Sequence, residues 1–269
     1  MTGVLAVLII VVILLIRYSG QMQSGYRYVD RQAAPLKAKI LPVPQAYRDI
    51  LLKYFKFYQA LSPEAQVTFE QKVALFIYSK QFIPRDISEV TLEAKVLIAA
   101  SAVQLTFGLP DYPIRHFNKI LVYPNDYYSR ITKRFHKGEV NPMFGIIVLS
   151  WQSFVDGYID ANDAFNLGLH EMAHALRLET LMRKTETILD EDVFEEFDDH
   201  ADRVCMQMEV APNNVIRPYA CRNKHEFFSV AVENFFERPT EFYADLPAVY
   251  MILSKILCQD PLKICSQVK

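Results

Sequence analysis

Two histidines one helical turn apart, with a glutamate beside the first, are the residues of this sequence best suited to chemistry: His170-Glu171-Met172-Ala173-His174. Positions i and i+4 share one face of an α-helix, so both imidazoles can converge on a single metal ion. Glu171 then stands beside that ion. There it can take a proton from a water that the metal has acidified and pass it to a leaving amine, which is metal-assisted hydrolysis of an amide. The setting sharpens the pattern. Leu167, Leu169 and Leu176 make the helix apolar, and two imidazoles inside an apolar helix are costly unless they share a partner. Zinc is the ion this chemistry suits.

A catalytic zinc keeps three protein ligands and one open position, so a third ligand must come from elsewhere. The run from His225 to Phe236 reads as another strong helix. A glutamate in the first turn of a helix antiparallel to the first is the arrangement of glutamate-class zincins, and Glu226 occupies that place. Glu233, two turns further along the same face, is its rival, or else a carboxylate that orients an imidazole. Seven residues before Glu226 stands Tyr219, whose phenol could donate to the oxyanion of a tetrahedral intermediate or simply pack.

The elements that must position these residues follow from spacing. Apolar residues recur at helical intervals from Tyr47 to Leu61, and Ser62-Pro63-Glu64 supplies a cap, a first-turn proline and an acidic residue, so two helices should join there. Leu92–Gln104 reads as a core helix. Ile120–Tyr123 and Phe144–Trp151 read as strands of a small sheet preceding a helix at Asn162, with a peptide substrate lying extended along Ile146–Ser150 as an edge strand. There is no regular β-α-β alternation, which leaves a mainly helical α+β domain with a small sheet. Glu186–Asp202 carries nine acidic residues and reads as a solvated helical face, with a charged rim at the cleft as the alternative.

His170-Glu171-Met172-Ala173-His174-Ala175-Leu176, taken with Tyr219 and Glu226-Phe227-Phe228-Ser229-Val230-Ala231-Val232-Glu233, resembles the Mlc titration factor A family of bacterial zinc peptidases, themselves similar to the anthrax lethal factor catalytic domain. Leu61–Glu64 and Phe69–Phe76 share the likeness, which runs from about Gln45 to about Tyr250. The resemblance implies a zincin-like metallopeptidase fold, with His170, His174 and Glu226 as zinc ligands, Glu171 as general base and Tyr219 as oxyanion donor. The family often continues its motif His-Lys-Leu-Asp where this chain has His174-Ala175-Leu176-Arg177. The family name also implies a regulatory protein as a possible partner, besides a peptide or protein substrate.

Composition bounds the rest. The 269 residues, 51% hydrophobic, can bury a sizeable core. With 29 basic against 31 acidic residues and no basic run, nucleic acid is not an expected partner. Cys205, Cys221, Cys258 and Cys265 form no paired motif and read as mainly free thiols. Val4–Ile16 is unbroken aliphatic sequence, and residues 1–18 would make about 27 Å of helix, enough to span a membrane if Arg17 snorkels. The organisation expected is therefore an N-terminal transmembrane helix at 1–18, a linker at 19–44 and a zinc metallopeptidase domain at 45–269. Arg17, Arg27, Arg31, Lys37 and Lys39 against Asp30 place that domain on the cytoplasmic side of the bacterial inner membrane, as a single-pass protein.

Overall fold

Ser62 Oγ accepts the Ala65 N–H, Pro63 takes the first helical position and Glu64 lies in the first turn, so Pro63–Ser79 is helical as its spacing predicts. The computed structural model describes residues 42–109, 114–129, 133–159, 163–182, 191–211, 213 and 215–265. The anchor expected at 1–18 and all of the linker up to residue 41 lie outside the described residues. Among the described residues no helix is long and apolar enough to cross a membrane. Upstream of Ser62 the helical stretch is broken, with Gln45–Tyr54 and the single turn Lys56–Gln59 flanking Phe55. Phe55 leaves the helix for extended backbone so that its ring enters the core, 6.0 Å from Phe69 and 5.3 Å from Tyr158. The core helix extends slightly beyond its predicted end, Leu92–Thr106, capped by Thr91 and buried on nearly every side.

Among the described residues there are six short strands: β1 (Gln81–Pro84), β2 (Lys119–Tyr123), β3 (Tyr127–Ser129), β4 (Arg134–His136), β5 (Gly138–Asn141) and β6 (Ile146–Ser150). One sheet runs β1-β2-β6-β5, with β1, β2 and β6 parallel and β5 antiparallel to β6; β3 and β4 form a separate hairpin. Only β2 and β6 carry long apolar runs, and the other strands are three or four residues long, below what alternation can reveal. β1, the Leu92–Thr106 helix and β2 form a βαβ unit that the sequence pattern did not announce. Ile120, Val122, Ile147 and Leu149 turn toward the helices, whereas Leu121, Tyr123 and Val148 meet Tyr127 of the hairpin on the other face.

The expectation that Ile146–Ser150 is an edge strand is wrong. It lies between β2 and β5, and its continuous apolar run reflects burial on both faces. The outer strand on that side is β5, joined to β6 through Gly145 at φ +61°, a conformation that favours glycine.

The helix predicted near Asn162 begins later, at Leu167, because Asn166 is the residue that caps it: its Oδ1 accepts the Leu169 N–H at 2.9 Å. The acidic segment enters Glu191–Met208, a helix with Phe194, Phe197, Ala201 and Val204 inward and Glu195, Glu196, Asp199 and Asp202 in solvent, which is the solvated-face reading. A 3₁₀ turn, Pro218–Arg222, then leads to the helix Lys224–Glu237, and Pro239, Pro247 and Pro261 each open one of the helices that follow.

The free-thiol reading needs a correction. Cys205, on the acidic helix, and Cys221, in the 3₁₀ turn, form a disulfide with their Cα atoms 5.6 Å apart, while Cys258 is free and exposed. The pairing escaped the sequence because the helix end and the turn meet only in the folded chain. For a closed loop of 16 residues the bridge should contribute roughly 3 kcal/mol by constraining the unfolded state. Replacing both cysteines by serine should lower the urea-unfolding free energy by about that amount; an unchanged free energy would mean that the bridge stabilises nothing.

Candidate metal centre

His170 and His174 sit on the helix Leu167–Met182, and Glu226 sits in the first turn of the helix Lys224–Glu237, where Asn223 Oδ1 accepts its N–H at 3.0 Å. The two helices run antiparallel. Asn166 meets Glu233 and Glu237, His170 meets Glu233 and Glu226, and His174 meets Glu226. Three atoms converge as a result: the Nε2 atoms of the histidines are 3.1 Å apart, and Glu226 Oε2 lies 3.2 Å from one and 3.4 Å from the other. Among the described residues this is the one group of three histidine, cysteine or acidic side chains able to hold a metal ion. The spacing fits zinc, because bonds of about 2.0–2.1 Å in tetrahedral geometry separate neighbouring donors by about 3.3–3.4 Å. Glu226 Oε2 is buried and makes no hydrogen bond, an acceptor aimed at the point where a cation would sit.

What stands behind the ligands fixes their direction. His170 Nδ1 lies 2.7 Å from Glu233 Oε1, and because a carboxylate only accepts, Nδ1 holds the proton and Nε2 is the nitrogen turned to the metal position. Of the two roles open to Glu233, it takes the orienting one. It is 1% exposed and also accepts the Asn166 N–H at 2.8 Å and the Arg217 guanidinium at 2.7 Å and 3.3 Å. Asn166 in turn donates to Glu237 at 2.9 Å, a carboxyl that burial first, and then the charge of Glu233, pushes up to about 8.

Glu171 is buried, which pushes its carboxyl above the usual range. It lies against β5: a Cβ added to Gly138 would overlap Glu171 Oε1 and stand 2.6 Å from its Cδ, so any larger residue there must displace the Glu171 side chain. The outer strand and the acidic side chain of the motif are thus in contact. Tyr219 stands on the same side as Glu226, 39% exposed, and its hydroxyl donates to Glu226 Oε1 at 2.9 Å. Burial, reinforced by Glu226, pushes that phenol up to about 12, so it keeps its proton at neutral pH. All five residues singled out from the sequence therefore gather in one place. Arg217, Asn166 and Gly138 were not foreseen. Asn166 had a signal, as a capping residue just before an apolar helix, whereas nothing local marks Arg217 or Gly138.

Burial alone would lower the pKa of His170, but the carboxylates of Glu226 and Glu233 beside it outweigh that and push the imidazole up to about 10. Glu226, which burial would raise, is drawn well below the usual carboxylate range by the two histidines. Without metal His170 therefore holds a proton at neutral pH, and metal must displace it. Zinc affinity should rise about tenfold per pH unit for each proton released, from pH 6 upward, and level off above about 10; a pH-independent affinity measured by chelator competition would contradict this ligand set. Gly138→Ala should cost about 1–3 kcal/mol in urea unfolding through overpacking against Glu171, with zinc content unchanged; a neutral result would show that Glu171 can move aside freely.

Comparison with known proteins agrees with this geometry. The family model described as glucose-regulated metallo-peptidase M90 matches residues 28–257. The chain is 30% identical over 243 residues to an uncharacterized protein of Synechocystis sp., covering 83% of this chain and 87% of that one. It is 26% identical over 212 residues to Mlc titration factor A of Yersinia pestis, covering 69% and 74% respectively, and it matches the Yersinia pseudotuberculosis protein of the same name equally well. Helices that bring two histidines and a glutamate together, and a match over most of the chain, lead to one conclusion: this protein belongs to the glucose-regulated metallo-peptidase M90 family.

Proposed function

We propose that the protein is a zinc-dependent peptidase, with His170, His174 and Glu226 holding the ion, Glu171 as general base and Tyr219 as oxyanion donor. The observation that carries this reading is the placement of Glu171, whose carboxylate lies one residue along the helix from a metal ligand and against the outer strand β5. A purely structural metal site has no use for a buried base at that point. When bound, zinc would acidify a water and polarise the scissile carbonyl.

The chain's own residues supply the remaining steps. The outer edge of β5 offers backbone groups for an extended peptide to pair with, laying its carbonyl beside Glu171. Glu171 takes the proton of the attacking water on its carboxylate and returns it to the leaving amine nitrogen, and a carboxyl whose affinity for protons is raised by burial suits both transfers. As the carbonyl oxygen gains charge, the Tyr219 hydroxyl can exchange Glu226 Oε1 for that oxygen.

A second reading, a regulator-binding protein on a peptidase scaffold, draws on the relative named Mlc titration factor A. It also draws on Tyr128 and Phe135, an aromatic pair 5.4 Å apart on the β3–β4 hairpin with both rings more than half exposed. Peptide hydrolysis is the better-supported function because a binding surface leaves Glu171 unexplained.

For location, the basic residues after Val4–Ile16 favour the cytoplasmic face of a membrane, whereas the Cys205–Cys221 bridge favours an oxidising compartment. The bridge weighs more, since those basic residues are spread along the chain. If residues 1–18 anchor the protein, we place its domain on the outer side.

Glu171→Gln should keep its zinc and lose about 10²–10⁴-fold in turnover, read on a library of internally quenched peptides. Equal turnover in parent and variant would exclude Glu171 as the base. A parent that holds zinc yet cleaves no member of the library would favour the regulator-binding reading.

A further inference from the structure

Outside the five residues already assigned, Arg217 is placed to act on the same centre. Its guanidinium spans both oxygens of Glu233, with Nη2 to Oε1 at 2.7 Å and Nη1 to Oε2 at 3.3 Å, and Nη1 also donates to the carbonyl of Ala164. Phe165 lies over its face at 4.5 Å, and 20% of the side chain remains exposed. Ala164 is held at φ +58°, a left-handed conformation unusual for alanine, immediately before the Phe165-Asn166 pair that starts the histidine helix. Arg217 thereby grips the carboxylate behind His170 and the strained entrance to the helix carrying His170 and His174.

The same residue opens the turn that carries Tyr219. It is the N-cap of Pro218–Arg222, its carbonyl accepts the Ala220 N–H at 3.0 Å, and its guanidinium lies 5.9 Å from the Tyr219 ring. One side chain therefore connects three parts of the site that come from separate stretches of chain. A buried carboxylate such as Glu233 stays ionised only with a partner of opposite charge. As an anion it accepts from His170 Nδ1 and strengthens the imidazole as a donor to metal. A planar fork that meets both carboxylate oxygens fixes the angle of that carboxylate as well as its charge, which an ammonium cannot do.

We propose that Arg217 is a positioning residue of the metal centre, acting through Glu233 to orient His170 and so set the affinity for zinc. The proposal rests on the zinc reading above and adds to it a residue that touches neither ion nor substrate. Beside Arg217 a cavity of about 260 Å³, also lined by Phe165, Val215, Ile216 and Arg238, leaves room for a replaced side chain to settle.

The test is a double-mutant cycle on zinc affinity, measured by competition with a chromophoric chelator, using Arg217→Met, Glu233→Gln and the pair. Arg217→Met should weaken zinc binding by about 10–100-fold, the range for loss of a group supporting a ligand. In the Glu233→Gln background it should add little, because the arginine acts through that carboxylate. Arg217→Lys, which keeps charge without the fork, should fall between parent and methionine variant, and it carries the test if circular dichroism shows Arg217→Met unfolded. Unchanged affinity in the folded Arg217 variants, or losses that add in full with that of Glu233→Gln, would overturn the proposal while leaving the zinc peptidase reading intact. A parent with no affinity for zinc would overturn both.

Discussion

Two imidazole nitrogens and a carboxylate oxygen stand within 3.4 Å of one another, a convergence of donor atoms able to hold a cation that persists only where the backbone keeps the groups from parting. The backbone supplies that restraint through two antiparallel helices. Leu169, Met172, Ala173 and Leu176 from one, and Phe227, Val230, Ala231 and Phe235 from the other, are all buried in the core. Close packing keeps such helices from sliding, since even one methylene of misfit is felt in an interior of this density. The hydrophobic contacts thus act on the chemistry indirectly, holding the polar groups of two separate helices where they converge.

Behind that clamp lies a chain of polar contacts directed away from the metal position. His170 leans on Glu233, Glu233 on Arg217 and Asn166, and Asn166 on Glu237. Glu237, buried beside Glu233 with no guanidinium of its own, is pushed up to about 8.

The opposite side of the centre is bounded by strands and a tethered turn. Gly138 lets the outer strand approach Glu171 with no side chain between them, so backbone and carboxylate share one surface. Tyr219 reaches Glu226 from a 3₁₀ turn whose far end is joined by Cys221 to the acidic helix. That five-residue turn packs through Ala220, which is buried in the core, and the covalent link adds a second restraint. Arg177 adds a second link to that helix, its guanidinium donating to both oxygens of Asp198 and lying between Phe194 and Phe228. Arg177 thereby joins the histidine helix to the acidic helix.

Local chemistry alone determined a good part of this protein. The i, i+4 spacing of His170 and His174, the cap and proline at Ser62-Pro63 and the helical period of Leu92–Gln104 depend on neighbours within one or two turns, which any single stretch of chain displays. Glu226 and Tyr219 could be proposed as partners because the helix that bears Glu226 announces itself and a metal needs a third ligand. Tertiary structure decided the rest. Whether Glu233 bound metal or oriented an imidazole depended on which nitrogen of His170 it would face. Which strand lay at the edge depended on pairing, and a four-residue strand such as Gly138–Asn141 is invisible until its partner is known. The Cys205–Cys221 bridge, the fork of Arg217 and the bare Cα of Gly138 all join or separate residues distant in the chain, and no local pattern encodes a distance that only folding creates.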